Sequence, residues 1–336
     1  MKKLLVGVFV LIMMFSVVGF AAAQADGTYA LVVKSAGNPF MERVREGFAE
    51  AVEAQGGEVI YRAPAEPTVS AQIAIIEQLI TQRVNVIAIA ANDRDALQPA
   101  LQRAMNRGIK VLSLDSAVNP QSRMVHVNQA DPELIGRVQI QAISEMIGGE
   151  GQIAILSATS QATNQNLWIE YMKDELKKPK YEDIELVRVA YGDDLRDKSV
   201  AETEALLQTY PDLKGIIAPT TVGIAAAARV LSTRNLGDEI ALTGLGLPSE
   251  MAEYIKSGVC EWMYLWNPID LGYLGGETAV ALDNEVITGE VGETFEAGRL
   301  GERKVVETLS GEGTEIMLGE PFKFDKSNID EWKDVY

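Results

Sequence analysis

Two patterns alternate along the chain: short apolar runs that end at a polar residue and a turn, and stretches with apolar residues at three- and four-residue spacing. Ala30 to Lys34, Val59 to Arg62, Val84 to Ala90 and Lys110 to Leu114 are rich in Val and Ile and predict strands. Between them, Pro39 to Ala54, Thr68 to Gln82 and Arg94 to Arg107 carry helical periodicity. A second series begins near Pro132. It reads as a helix to Ile147, strand Gln152 to Leu156, helix near Leu167 to Leu176, strand Ile184 to Tyr191, helix Asp197 to Tyr210, strand Gly215 to Ala218, helix Val222 to Arg234 and strand Ile240 to Thr243. Strict alternation implies right-handed crossovers and parallel sheets covered on both faces. The predicted class is α/β, with two doubly wound parallel-sheet lobes.

After a helix around Glu250 to Ser257, Val259 to Trp266 is extended and aromatic, and Asn267-Pro268 ends it. The helix from Ile269 to about Asn284 is expected to pack on the first lobe, with the tail from Glu315 returning to the second. The expected division is 27–129 plus 267–295 for the N-terminal lobe and 130–266 plus 296–336 for the C-terminal lobe. A chain that crosses more than once makes a multi-strand hinge, which suits opening and closing around a ligand.

The apolar runs stop at Lys34, Asp115, Asn128, the Ser157 to Gln165 stretch and Pro219. In open parallel sheets the carboxyl ends of strands line the crevice where ligands sit. Polar side chains gathered there imply a small polar ligand.

The N-terminus changes the picture of where this happens. Met1-Lys2-Lys3, an apolar run from Leu4 to Phe20 and Ala21-Ala22-Ala23 have the order of a cleavable secretory signal over 1–23. The single cysteine, Cys260, is far from that site, so no lipid-accepting cysteine and no intramolecular disulfide are expected. The expectation is a periplasmic protein without a lipid anchor. The formal charge of −18 becomes more negative when Lys2 and Lys3 are removed. An acidic surface argues against nucleic acid and membrane-surface roles.

Catalytic chemistry finds little support. A Ser-His-Asp arrangement needs a histidine base, and His126 is the only histidine, alternating with Val125 and Val127 in a short strand, where a structural role fits better. No glycine-rich phosphate cradle follows any strand; in Gly244-Leu245-Gly246-Leu247-Pro248 a proline replaces the turn. One histidine and one cysteine give no transition-metal ligand spacing, and Asp193-Asp194 reads as a solvated loop before a helix. Neither metal nor cofactor is expected. Paired carboxylates for glycoside cleavage have no spacing signature, which leaves a periplasmic α/β enzyme as a remote alternative.

Several stretches resemble a known family. Ala162-Thr163-Asn164-Gln165-Asn166-Leu167-Trp168, Ala218-Pro219-Thr220-Thr221-Val222-Gly223, Leu242 to Pro248 and Leu265-Trp266-Asn267-Pro268-Ile269-Asp270 are similar to the type I periplasmic substrate-binding proteins of ABC importers, in the rhamnose-binding and autoinducer-2-binding subgroup. The resemblance covers the whole mature chain. It implies a sugar ligand, permease subunits as partners, a chemotaxis receptor as a further partner, and a monomer. The autoinducer-2 pattern is kept at Lys34, Asp115, Gln165 and Pro219, but Asn164 stands where that pattern has aspartate and Thr221 where it has alanine. That departure favours a rhamnose-like sugar, with autoinducer-2 as the alternative. A sugar-responsive repressor with the same core would carry an N-terminal helix-turn-helix and a basic face, contrary to the signal and the acidic balance.

Vicinal hydroxyls donate and accept, so a buried sugar site needs both kinds of partner. Asp115 accepts, Lys34 donates, and Asn38, Asn128, Asn164 and Gln165 do both. Asn38 before Pro39 fits a helix cap equally well. Phe40, Trp168 and Trp266 offer apolar faces for the C–H side of a pyranose, although each also suits a core. Asp270 either contacts sugar or caps the helix after Pro268.

Overall fold

The computed structural model describes residues 27–336; the signal-sequence reading of 1–23 lies outside them. The first lobe starts with β1 (Thr28–Val32), α1 (Pro39–Ala54), β2 (Glu58–Arg62), α2 (Val69–Gln82), β3 (Val86–Ile89), α3 (Gln98–Met105), β4 (Lys110–Leu114) and β5 (Val125–Ala130). The chain then crosses into α4 (Pro132–Met146), β6 (Gly151–Ser157), α5 (Thr163–Leu176), β7 (Ile184–Tyr191), α6 (Arg196–Thr209), β8 (Leu213–Ala218), α7 (Thr221–Arg234), β9 (Ala241–Gly244), α8 (Pro248–Ser257) and β10 (Trp262–Leu265). It returns through α9 (Pro268–Asp283), followed by β11 (Thr294–Glu296), β12 (Glu302–Lys304), β13 (Val306–Glu307), β14 (Thr314–Gly319), β15 (Phe322–Asp325) and α10 (Ile329–Trp332).

Helix starts are written locally. Asn38, Asp131 and Asn267 each accept backbone N–H bonds as caps, and Pro39, Pro132 and Pro268 occupy the first helical position, where a missing N–H costs nothing. Helix α3 is shorter than its periodicity suggests, because Asp93 Oδ1 accepts from the amides of Asp95 and Ala96 and folds that stretch into a turn. Helix α5 begins four residues earlier than predicted, at a polar turn that faces the cleft.

The first sheet has the order β13-β14-β5-β4-β3-β1-β2 and is parallel except for the antiparallel β13–β14 pair. The second is parallel, with order β7-β6-β8-β9. Strand β10 pairs antiparallel with β15 beside it, and a bridge joins Leu245 to Tyr264. Residues 306–319 therefore belong to the first sheet, not to the second lobe as 296–336 was assigned from sequence. Strand β14 lies parallel on β5, with Glu315 opposite His126. The return to the second lobe comes only at β15.

Three crossings result: β5 to α4, β10 to α9, and β14 to β15. Helix α9 packs on α1 in the first lobe at backbone contact distance. A Cβ on Gly272 would lie 1.9 Å from the Val44 carbonyl oxygen, and one on Gly47 would lie 1.8 Å from that of Ile269. Only glycine permits this approach from either helix.

Candidate functional site

The carboxyl ends of β1, β4, β6, β7 and β8 meet between the lobes. In the first lobe, Lys34 lies just past β1 and Asp115 directly after β4. Both are nearly enclosed, at 7% and 3% exposure. Lys34 Nζ is 2.8 Å from Asp115 Oδ2. Asp115 holds a left-handed backbone (φ +58) with its amide donating to Val127 O, an unusual conformation for a non-glycine residue that turns its carboxylate toward Lys34. Removing two charges from water is costly, so such a pair is better explained by binding than by stability.

The second lobe brings α5 to this pair. Asn164 Oδ1 accepts from Lys34 Nζ at 3.4 Å and Asn164 Nδ2 donates to Asp115 Oδ1 at 3.3 Å. These neighbours fix which end of the amide is which. Gln165 Oε1 accepts from Ser157 Oγ and from the Ala158 amide, both at 2.7 Å. Its carbonyl is thereby used inside the lobe, leaving its NH2 to donate to a ligand.

Around these groups lies a small cavity. Lys34, Asn38, Asp115, Asn164, Gln165, Pro219 and Thr221 line it, as do the rings of Phe40, Trp168 and Trp266. Trp266 stands between the other two, 6.1 Å from Phe40 at 89° and 5.9 Å from Trp168 at 63°. The Trp266 indole N–H is buried without a protein partner. Asn38 caps α1, its Oδ1 accepting from the Phe40 amide, and the residue also lines the cavity.

Two predicted residues lie elsewhere. Asn128 lines not this cavity but an adjoining one that shares Asp115, Asn164 and Trp168 with it, and its Nδ2 donates to Glu315 Oε2 at 2.9 Å, across the β5–β14 pairing that the sequence did not reveal. Asp270 is bound to Arg299 Nη2 at 2.7 Å and to Asn267 Nδ2 at 2.9 Å, on the outside of the α9 start. It steadies the end of the hinge and does not face the cleft.

Met41, Asp194, Thr220, Leu245 and Leu265 line the cavity without having been singled out. Asp194 corrects the reading of Asp193-Asp194 as a solvated loop. Both residues adopt left-handed backbone; Asp193 pairs with Lys198, while Asp194 turns inward and accepts from Thr220 Oγ1. Burial raises the Asp194 carboxyl above the usual range, and Asp115 and Asp193 add to this while Lys34 and Thr220 oppose it. His126 sits in the sheet with Nδ1 2.9 Å from Ser113 Oγ, and burial beside Arg123 pushes its pKa well down. It is a neutral core histidine.

Residues 29–285 match the family model described as a periplasmic binding protein domain. The chain belongs to the periplasmic binding protein family. Among relatives of this binding protein, the D-allose-binding periplasmic protein of Escherichia coli is 25% identical over 78% of this chain and 85% of its own length. Much nearer is an ABC transporter solute-binding protein from Clostridium phytofermentas, solved with bound L-rhamnose. It is 48% identical, with a TM-score of 0.90, over 92% of this chain and 99% of that one. The AI-2 complex of LsrB from Clostridium saccharobutylicum has the same fold, with a TM-score of 0.84 at 22% identity over 91% of this chain and 99% of that one. The family, the paired lobes and the cleft between them agree on a solute-binding protein of type I architecture.

Proposed function

We propose that this chain is the extracytoplasmic solute-binding component of a sugar ABC importer, and that its ligand is L-rhamnose or a closely similar monosaccharide. The observation that carries this reading is the Lys34, Asp115 and Asn164 cluster that joins the lobes beneath three aromatic rings, in a chain nearly half identical to a solute-binding protein solved with L-rhamnose. Lys34 and the Gln165 amide donate to hydroxyls, Asp115 and Asp194 accept, and the rings meet the C–H face and the 6-methyl of a deoxy sugar. No covalent step is required of these groups.

Sugar enters an open form and meets first-lobe groups, after which closure adds Asn164, Gln165 and the ends of β7 and β8. A ligand favours the closed state only by its differential affinity for it. The closed monomer then delivers sugar to membrane permease subunits, and a chemotaxis receptor can use the same closed state. Export through the 1–23 signal places this in the periplasm.

Thermal shift of the mature protein against L-rhamnose, autoinducer-2, ribose and galactose tests the reading. Ligand at a hundred times its Kd adds about 2.7 kcal/mol, which for a chain of this size raises Tm by roughly 4 °C. A shift with L-rhamnose is the expected result. A shift with autoinducer-2 alone refutes the ligand assignment.

A further inference from the structure

A second cavity adjoins the first across the Asp115–Asn164 contact. It shares Asp115, Asn164 and Trp168 with the smaller one. The partition includes a 3.3 Å hydrogen bond between those two polar side chains, which is long for an N–H···O contact.

The remaining wall comes from both lobes and from the turn joining β13 to β14. Arg123 and Gln129 belong to the first lobe, Thr163 and Tyr171 to α5, and Leu309 to the turn. Its polar groups are conspicuously unfilled. Arg123 is only 7% exposed and spends Nη1 on Ser113 Oγ, yet its Nε has no partner. Gln129 is 1% exposed with Oε1 unpartnered, and Thr163 Oγ1 is likewise unused. Each unpaired buried group costs about 1–3 kcal/mol, so three of them on residues that line one cavity call for partners the protein itself does not supply. Beside them, Trp168, Tyr171 and Leu309 supply the apolar surface that a sugar's C–H face needs.

We propose that this cavity is a second saccharide subsite, so that the protein takes a deoxyhexose extended by one further sugar as well as the free monosaccharide. The inference rests on the monosaccharide reading for the smaller cavity. The first unit lies against Lys34 and Asp115; Asp115 and Asn164 part, and the second unit lies along Tyr171 and meets Arg123, Gln129 and Thr163.

Isothermal titration with L-rhamnose and with L-rhamnose joined through its anomeric oxygen to glucose, in both O2- and O6-linked forms, decides the matter. At least one disaccharide is expected to bind within about tenfold of L-rhamnose, a difference of no more than roughly 1.4 kcal/mol. Arg123→Met and Tyr171→Ala should each weaken that disaccharide about tenfold while moving L-rhamnose less than about twofold, the latter serving as proof of folding. Binding of L-rhamnose without either disaccharide overturns the subsite and leaves the monosaccharide reading intact. Binding of a disaccharide without L-rhamnose supports the subsite and overturns the monosaccharide reading; binding of neither overturns both. Disaccharide binding that neither variant weakens also overturns the subsite.

Discussion

Asn164→Asp is the sharpest perturbation of the cleft, because it replaces an amide donor by a carboxylate oxygen with little change of shape. The new carboxylate would lie about 3.3 Å from Asp115 Oδ1 and 3.4 Å from Lys34 Nζ. At an effective dielectric of about 20, each contact is worth roughly 5 kcal/mol, one repulsive and one attractive, so the two nearly cancel. What does not cancel is the lost donor, which leaves two acceptors facing each other in a closed site. That costs about 1–3 kcal/mol, or roughly 5- to 150-fold in affinity for L-rhamnose by isothermal titration at neutral pH. Two carboxylates at that spacing hold one proton between them more tightly than either would alone. Acidification restores a donor, so the variant should bind progressively better as pH falls from 8 to 5, more steeply than the wild type. A variant that binds L-rhamnose within twofold of wild type, with no added pH dependence, would refute the role given to Asn164.

Three further perturbations have defined outcomes. Lys34→Met leaves the buried Asp115 carboxylate unpaired and should lower unfolding stability by about 3–5 kcal/mol, with Lys34→Met/Asp115→Leu recovering most of it, as urea unfolding would show. Gly272→Ala places a methyl 1.9 Å from the Val44 carbonyl, and forcing α1 and α9 apart should cost about 3 kcal/mol, measured as a fall in Tm. Asp194 has a raised folded-state pKa, so the folded protein binds its proton more tightly than the unfolded chain, and its contribution falls as pH rises through and above the ordinary carboxylate range. In the absence of sugar, Asp194→Asn should therefore gain stability relative to wild type as pH rises across that window and hold the gain above it. Thermal melts at several pH values check this, and a constant difference between pH 3 and 8 would contradict it.

The elements that were legible are those whose signals are local. Helices α1, α4 and α9 start at Asn38-Pro39, Asp131-Pro132 and Asn267-Pro268, where cap and proline are adjacent in sequence. The first turn of α5 was illegible because Thr163-Asn164-Gln165-Asn166 is polar; of the residues that break the apolar period, Asn164 touches the Lys34–Asp115 pair and Gln165 lines the cavity beside it. Strand β14 pairs with β5 across nearly two hundred positions, and no local feature announces that partnership. Misplacing it hid the partner of Asn128, since Glu315 arrives on that strand. Asp270 was misjudged for a similar reason, since Arg299 reaches it from a segment with no periodic signal. Asp194 was lost because two adjacent aspartates look alike in sequence, while left-handed backbone at both sends one to Lys198 and the other to Thr220.

The contacts between the lobes at the cleft bear on how the proposed ligand would hold it shut. The polar bonds that cross from Lys34 and Asp115 to Asn164 are 3.4 and 3.3 Å long, weak beside the 2.8 Å pair within the first lobe. Net gains from such bonds are about 1 kcal/mol or less each, against the dehydration of several polar groups on closure. The empty protein therefore has little reason to stay closed. In the proposed cycle a sugar would change the balance, its hydroxyls engaging Lys34 and Asp115 on one side and Gln165 and Asp194 on the other and replacing weak cross-lobe bonds by bridged ones. On this reading the Lys34–Asp115 pair, costly to bury alone, would make closure conditional on the ligand that completes it.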